Sequence, residues 1–179
     1  IRSVVVLDNA PQSDTTQTPM SNPFSSTELS QLGHILTEAA VEEIMHAKVS
    51  VLSGSEEAHF AALGALSGMP GFAGLVGDLG GGSLEMSAIA GGHDSVGETH
   101  ELGVIRIQDD SGNSPQKAMV LARQRLKASK LLTGQGGAFC AIGGTWRSLA
   151  KVHQVLRDYP LHMVQHYSVR AADMLKLCE

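Results

Sequence analysis

The sequence predicts an α/β domain with a mixed sheet flanked by helices, and three observations carry that expectation. Short apolar runs of strand character alternate with longer segments of helical period. The run Gly77-Asp78-Leu79-Gly80-Gly81-Gly82-Ser83-Leu84-Glu85 joins two apolar stretches through consecutive glycines, the mark of a tight hairpin. A second glycine turn, Gly143-Gly144-Thr145, lies between a strand-like run and the start of a helical pattern.

Taken in order, residues 1–7 read as a strand on β-branched content. From Asn9 to Ser26 the composition turns to Pro, Ser, Thr, Gln and Asn, a linker signature. Leu29, Leu32, Leu36, Ala40 and Ile44 then recur at helical spacing, predicting a helix over 28–47, and Val49–Leu52 reads as a short strand. Ser53 followed three residues later by Glu56 is a capping box, opening a helix with small Ala58, Ala61, Ala62 and Ala65 and ending at Gly68-Met69-Pro70-Gly71. The glycine hairpin follows, then a turn at Gly91-Gly92-His93-Asp94 and a strand near 98–102. A helix is predicted over 115–132, a strand over Ala138–Ile142, a helix from the second glycine turn to about Leu156, and a final helix over 168–178.

Composition narrows the function classes. The chain has 179 residues, 42% hydrophobic and 17% charged, which suits an ordinary globular protein with room for a buried core. A net charge of −5 without a Lys/Arg run argues against DNA as a partner, and 4% aromatic residues leave no stacking platform for bases. No apolar run reaches membrane-spanning length, so no membrane association is expected. Cys140 lies in the apolar run Ala138–Ile142 and reads as a buried thiol; with Cys178 far away, a reducing cytoplasm is the expected compartment.

The glycine hairpin carries chemistry as well as a turn. Without side chains its amides can approach an anion closely, and Asp78 and Glu85 flank them where they could hold a divalent cation against phosphate oxygens. The bland alternative is a plain hairpin, with Asp78 bonding the glycine amides that follow it. At the second turn, amides at a helix N-terminus attract anions, Thr145 adds a hydroxyl, and Arg147 either meets a phosphate or lies on a solvated face. Glu56 and Glu57 read locally as first-turn carboxylates complementing the helix dipole. Arg106 and Lys127 are weaker phosphate candidates. His162 and His166 stand four apart but without a third ligand, so they read as residues that pack or hydrogen-bond beside Tyr159 and Tyr167.

Four segments in order resemble the exopolyphosphatase and guanosine-pentaphosphate phosphohydrolase (Ppx/GppA) family, mainly its second lobe. They are Val51–Ala58, Asp78–Glu85, Leu102–Ile107 and Ile142–Ala150, the last followed by Tyr159-Pro160-Leu161-His162. The resemblance implies an actin-like ATPase (ribonuclease H-like) lobe, with residues 1–48 as an N-terminal strand, linker and helix and residues 49–179 as the phosphate-binding part. It implies Mg²⁺-assisted release of terminal phosphate from polyphosphate or guanosine pentaphosphate, and it allows a homodimer. By position, Glu57 resembles the catalytic base, and Asp78 and Glu85 the metal-organising acids. Gly80, Gly81, Gly82 and Ser83 resemble the phosphate loop, and Gly143, Gly144 and Thr145 a second phosphate-contacting turn, with Arg147 beside it. The loop expected after a family N-terminal strand has only Asp8-Asn9-Ala10-Pro11 as its counterpart. The alternative reading is therefore a non-catalytic phosphate- or nucleotide-binding or regulatory module.

Overall fold

A computed structural model describes residues 3–7, 38–132 and 137–177. The chain forms two compact units, 10–52 on the one hand and 1–9 with 53–179 on the other. In the first unit, helix α1 (Glu38–Met45) lies within the predicted 28–47 segment and ends two residues short of it; residues 28–37, like the predicted linker, are outside the described residues. The strand expected at Val49–Leu52 is irregular backbone instead. Val51 is 67% exposed, and the Val49 amide donates to the Glu42 carboxylate at 2.9 Å, so neither packing nor a partner strand draws the segment into a ladder.

The second unit is built on a seven-stranded mixed sheet. Its strands are β1 (Ser3–Leu7), β2 (Gly74–Leu79), β3 (Leu84–Ala90), β4 (His93–Asp94), β5 (Glu98–His100), β6 (Ala138–Ile142) and β7 (Tyr167–Arg170). They run in the order β4-β3-β2-β6-β1-β7, with β5 also paired to β3. Central β6 is parallel to both neighbours, β1 and β2, and the other pairings are antiparallel. That position explains its sequence: a strand covered on both faces needs an unbroken apolar run, and Ala-Phe-Cys-Ala-Ile supplies one.

The two-residue period of the strands sorts these side chains between two cores. Phe139 and Ala141 face α5 (Gly144–Leu156) and α6 (Ala171–Leu177), packing with Ala150, Tyr167, Val169 and Met174. Trp146 closes edge-on against Phe139, with ring centroids 5.7 Å apart, as expected of a packing anchor. Val76, Ile89, Cys140 and Ile142 face α2 (Gly54–Gly68), whose Ala62 and Ala65 let the helix lie close to the sheet. Cys140 is fully buried, and burial pushes its thiol up to about 12. A third cluster joins Leu84, Met86 and Leu102 to α3 (Val104–Ser111) and α4 (Pro115–Leu126) through Ile107, Ala122 and Leu126. Among the described residues no helix is long and apolar enough to cross a membrane.

Helix α2 starts where its sequence directs. Ser53 accepts from the Glu56 amide at 3.4 Å, and the Glu56 carboxylate accepts from the Ser53 amide at 2.7 Å, which completes the capping box. Ser53→Ala is expected to lower stability by about 1 kcal/mol, read as a lower urea midpoint. An unchanged midpoint would show that the box contributes nothing.

Four elements of the second unit differ from the sequence expectation. Val104–Ser111 is a helix that its β-branched start conceals. Helix α4 ends at Leu126, not 132, because Ser129 and the Lys130 amide turn away to bond the Glu98 carboxylate at 2.6 and 2.7 Å. Tyr167–Arg170 is an edge strand with alternating burial, which shortens the final helix to Ala171–Leu177. His93 and Asp94 form a two-residue strand rather than part of the turn.

Candidate functional site

Both glycine turns emerge at one end of two adjacent strands. Strands β2 and β6 are parallel with Asp78 beside Ile142, so Leu79 and Gly143 leave the sheet side by side. Gly143 has φ +111°, a conformation open to glycine. A Cβ there would stand 2.7 Å from the Leu79 carbonyl oxygen and 3.1 Å from Asp78 Oδ1, so the second turn is seated directly against the first carboxylate. Gly143 caps α5 and, having no side chain, supplies no acceptor to the first amides of that helix. Gly144 and Thr145 are exposed there. Arg147 is half-buried, with Nη2 3.8 Å from the position of a Gly144 Cβ.

The hairpin register brings the carboxylates together. Asp78 and Glu85 are direct partners across the antiparallel β2–β3 pair, so their side chains leave the same face. Period two places them with Val76 and Ile89, on the face covered by α2. Glu57 stands in the first turn of that helix. Burial, and secondly the charge of Glu57, raises the Asp78 carboxyl above its ordinary range. Burial likewise raises Glu85, with the charges of Glu57 and Asp78 adding to it and a hydrogen bond from Ser83 opposing it. Glu85 is only 3% exposed, and its Oε1 is buried with no hydrogen-bond partner. Among the described residues no group of three or more His, Cys, Asp or Glu side chains forms a metal cluster.

The loop between the carboxylates is Gly80-Gly81-Gly82-Ser83, closed by the Gly80 amide donating to the Ser83 carbonyl at 3.0 Å. Sequence reasoning missed what holds it. The first amides of α3 donate to loop carbonyls, Val104 to Gly80 at 3.1 Å and Ile105 to Gly81 at 3.0 Å. Gly103 makes that approach possible: a Cβ on it would lie 2.2 Å from Gly81 C, Gly82 C and Gly82 N. The signal was the glycine in Leu102-Gly103-Val104, read above only as part of a motif. Of the histidines, buried His153 pairs with the Tyr167 hydroxyl at 2.7 Å, whereas His166 is exposed and donates to the Gly68 carbonyl at 3.1 Å, and His162 is exposed rather than packed.

The mixed sheet flanked by helices, with two glycine turns at adjacent strand ends, matches the actin-like ATPase (ribonuclease H-like) fold. The chain belongs to the Ppx/GppA phosphatase family, whose sequence profile matches residues 38–179. A crystal structure of an exopolyphosphatase-like protein superposes with a TM-score of 0.56 at 18% identity, over 72% of this chain and 44% of that one. The Aquifex aeolicus Ppx/GppA enzyme gives 0.52 at 20% identity, over 69% and 42%. The type II variant of the Aquifex aeolicus Ppx/GppA phosphatase gives 0.50 at 18%, over 68% and 42%. At these identities the likeness is one of fold, and the chain spans less than half the length of each structure. No match to the chain is found among curated proteins.

Proposed function

We propose that this chain is the phosphate-binding lobe of a Mg²⁺-dependent phosphoanhydride hydrolase that releases terminal phosphate from polyphosphate or guanosine pentaphosphate. The observation that carries this reading is the Glu85 carboxylate: buried, with one oxygen unpartnered, opposite Asp78 and under the charge of Glu57. A buried carboxylate facing a half-buried one without a cation is costly. An oxygen-only pair fits a hard divalent ion, and Mg²⁺ keeps several waters while taking one or two carboxylates, so it needs no three-residue cage. When bound there, Mg²⁺ would draw negative charge from the phosphoryl oxygens.

The chain's own residues supply the rest. The Gly81, Gly82 and Ser83 amides receive phosphate oxygens, as do the first amides of α5 with Thr145, and Arg147 adds positive charge. Glu57, the exposed member of the acidic group, takes the proton of the attacking water. Phosphoryl transfer asks the protein for positioning and charge neutralisation rather than covalent chemistry. Phosphate release is to be measured by malachite green with each substrate, with and without Mg²⁺. Mg²⁺-dependent release supports the reading; pyrophosphate binding without release would instead favour the non-catalytic binding or regulatory module.

The carboxylates also yield a stability prediction. Groups whose pKa is raised by folding favour the folded state in acid, and that contribution is lost as pH rises through their raised values. Asp78→Asn and Glu85→Gln are therefore expected to melt about 2–4 °C above wild type at neutral pH without divalent cation, for about 1 kcal/mol each. The gap should close as pH falls toward the ordinary carboxylate range. Adding Mg²⁺ should stabilise wild type and leave both variants unmoved. Equal Mg²⁺ responses in all three proteins would remove Asp78 and Glu85 from the cation site.

A further inference from the structure

Three successive peptide planes of the glycine loop turn their carbonyls toward α3. Gly80 accepts from the Val104 amide at 3.1 Å, Gly81 from the Ile105 and Arg106 amides at 3.0 and 3.2 Å, and Gly82 from Arg106 Nε at 2.9 Å. A trans peptide points the following N–H opposite to its carbonyl, and no cis bond occurs among the described residues. The amides of Gly81, Gly82 and Ser83 are thereby aimed away from α3, and no acceptor for them is found among the described residues.

Among the described residues the first two carbonyls are hydrogen-bonded by main chain, and the third only by a side chain. A Cβ on Gly82 would meet nothing within 4 Å, so the side-chain side of that residue is open, and although Gly103 lies close to Gly82 C it gives the carbonyl no hydrogen bond. Arg106 is itself tethered: its Nη1 lies 3.4 Å from Glu101 Oε1, and Arg125 donates to the Glu101 carbonyl and pairs with Asp110 on α3. We infer that Arg106 is a positioning residue that sets the Gly82–Ser83 peptide, and so aims the Ser83 amide at the bound phosphate. The inference rests on the phosphate-binding reading above for its target, though not for the orientation itself.

Gln carries an N–H donor the same number of bonds from Cα as Arg Nε but no charge, whereas Met matches the length without a donor. Arg106 is exposed, so neither replacement opens a cavity. The probes are amide NMR of the free protein and calorimetric titration with pyrophosphate. In Arg106→Met the Ser83 amide signal should broaden, and pyrophosphate affinity should fall about tenfold. Arg106→Gln should keep the Ser83 signal sharp and bind within about threefold of wild type. A sharp Ser83 signal in Arg106→Met would overturn the inference. So would Arg106→Gln binding as poorly as Arg106→Met, because charge rather than aim would then be what counts. Absence of pyrophosphate binding in wild type would count against the phosphate-binding reading alone, since the Ser83 signal in free protein still decides the orientation.

Discussion

Glu57→Gln is expected to lower Mg²⁺-dependent phosphate release by about 10²–10⁴-fold while pyrophosphate affinity stays within about threefold of wild type. The amide keeps the size and polarity of the side chain but cannot take a proton from water, so the loss falls on turnover rather than binding. A second signature follows from electrostatics. Glu57 contributes to raising both Asp78 and Glu85, so removing its charge lets both carboxyls move back down toward their ordinary range. The acid limit of Mg²⁺ binding should then shift to lower pH in the variant. Release at the wild-type rate from Glu57→Gln would place the proton acceptor elsewhere.

Gly103→Ala should be the most damaging small substitution in the domain. The new methyl would sit 2.2 Å from three backbone atoms of the glycine loop, and backbone cannot move aside as a flexible side-chain end can. Either α3 lifts, breaking its hydrogen bonds to Gly80 and Gly81, or the loop is displaced from between Asp78 and Glu85. We expect a loss of about 2–4 kcal/mol in urea denaturation and no measurable pyrophosphate binding. Gly82→Ala is the matched control, since an added methyl there meets nothing within 4 Å, and its stability should stay close to wild type. Near-native stability in Gly103→Ala would mean that the helix and loop are not in close register.

The features legible in the sequence were those that short-range chemistry dictates. The capping box at Ser53 and Glu56, the glycine hairpin, and the buried run at Ala138–Ile142 each stand where local pattern placed them. The facing of Asp78 and Glu85 also follows from hairpin register, because a four-residue turn between alternating strands leaves little choice of pairing. What stayed hidden depends on long-range partners. Helix α3 begins with Val104 and Ile105, poor helix starters, and forms because Gly80 and Gly81 carbonyls accept its first amides. Strand β7 is four residues long and is defined by pairing with β1, far away in sequence. Helix α4 stops early because Glu98, some thirty residues before, takes the next donors. The role inferred for Arg106 was similarly invisible, since its acceptor is a carbonyl and leaves no trace in residue type.

The parallel ladder joining β2 to β6 has a mechanical consequence. Because the hydrogen-bonded register runs from Gly74 beside Ala138 to Asp78 beside Ile142, the two glycine turns are rooted in one stiff plate. Neither can swing toward a ligand without tearing rungs from the plate. The turns thus have the footing of an anvil, and any jaw that shuts over them would do its travelling from outside the sheet.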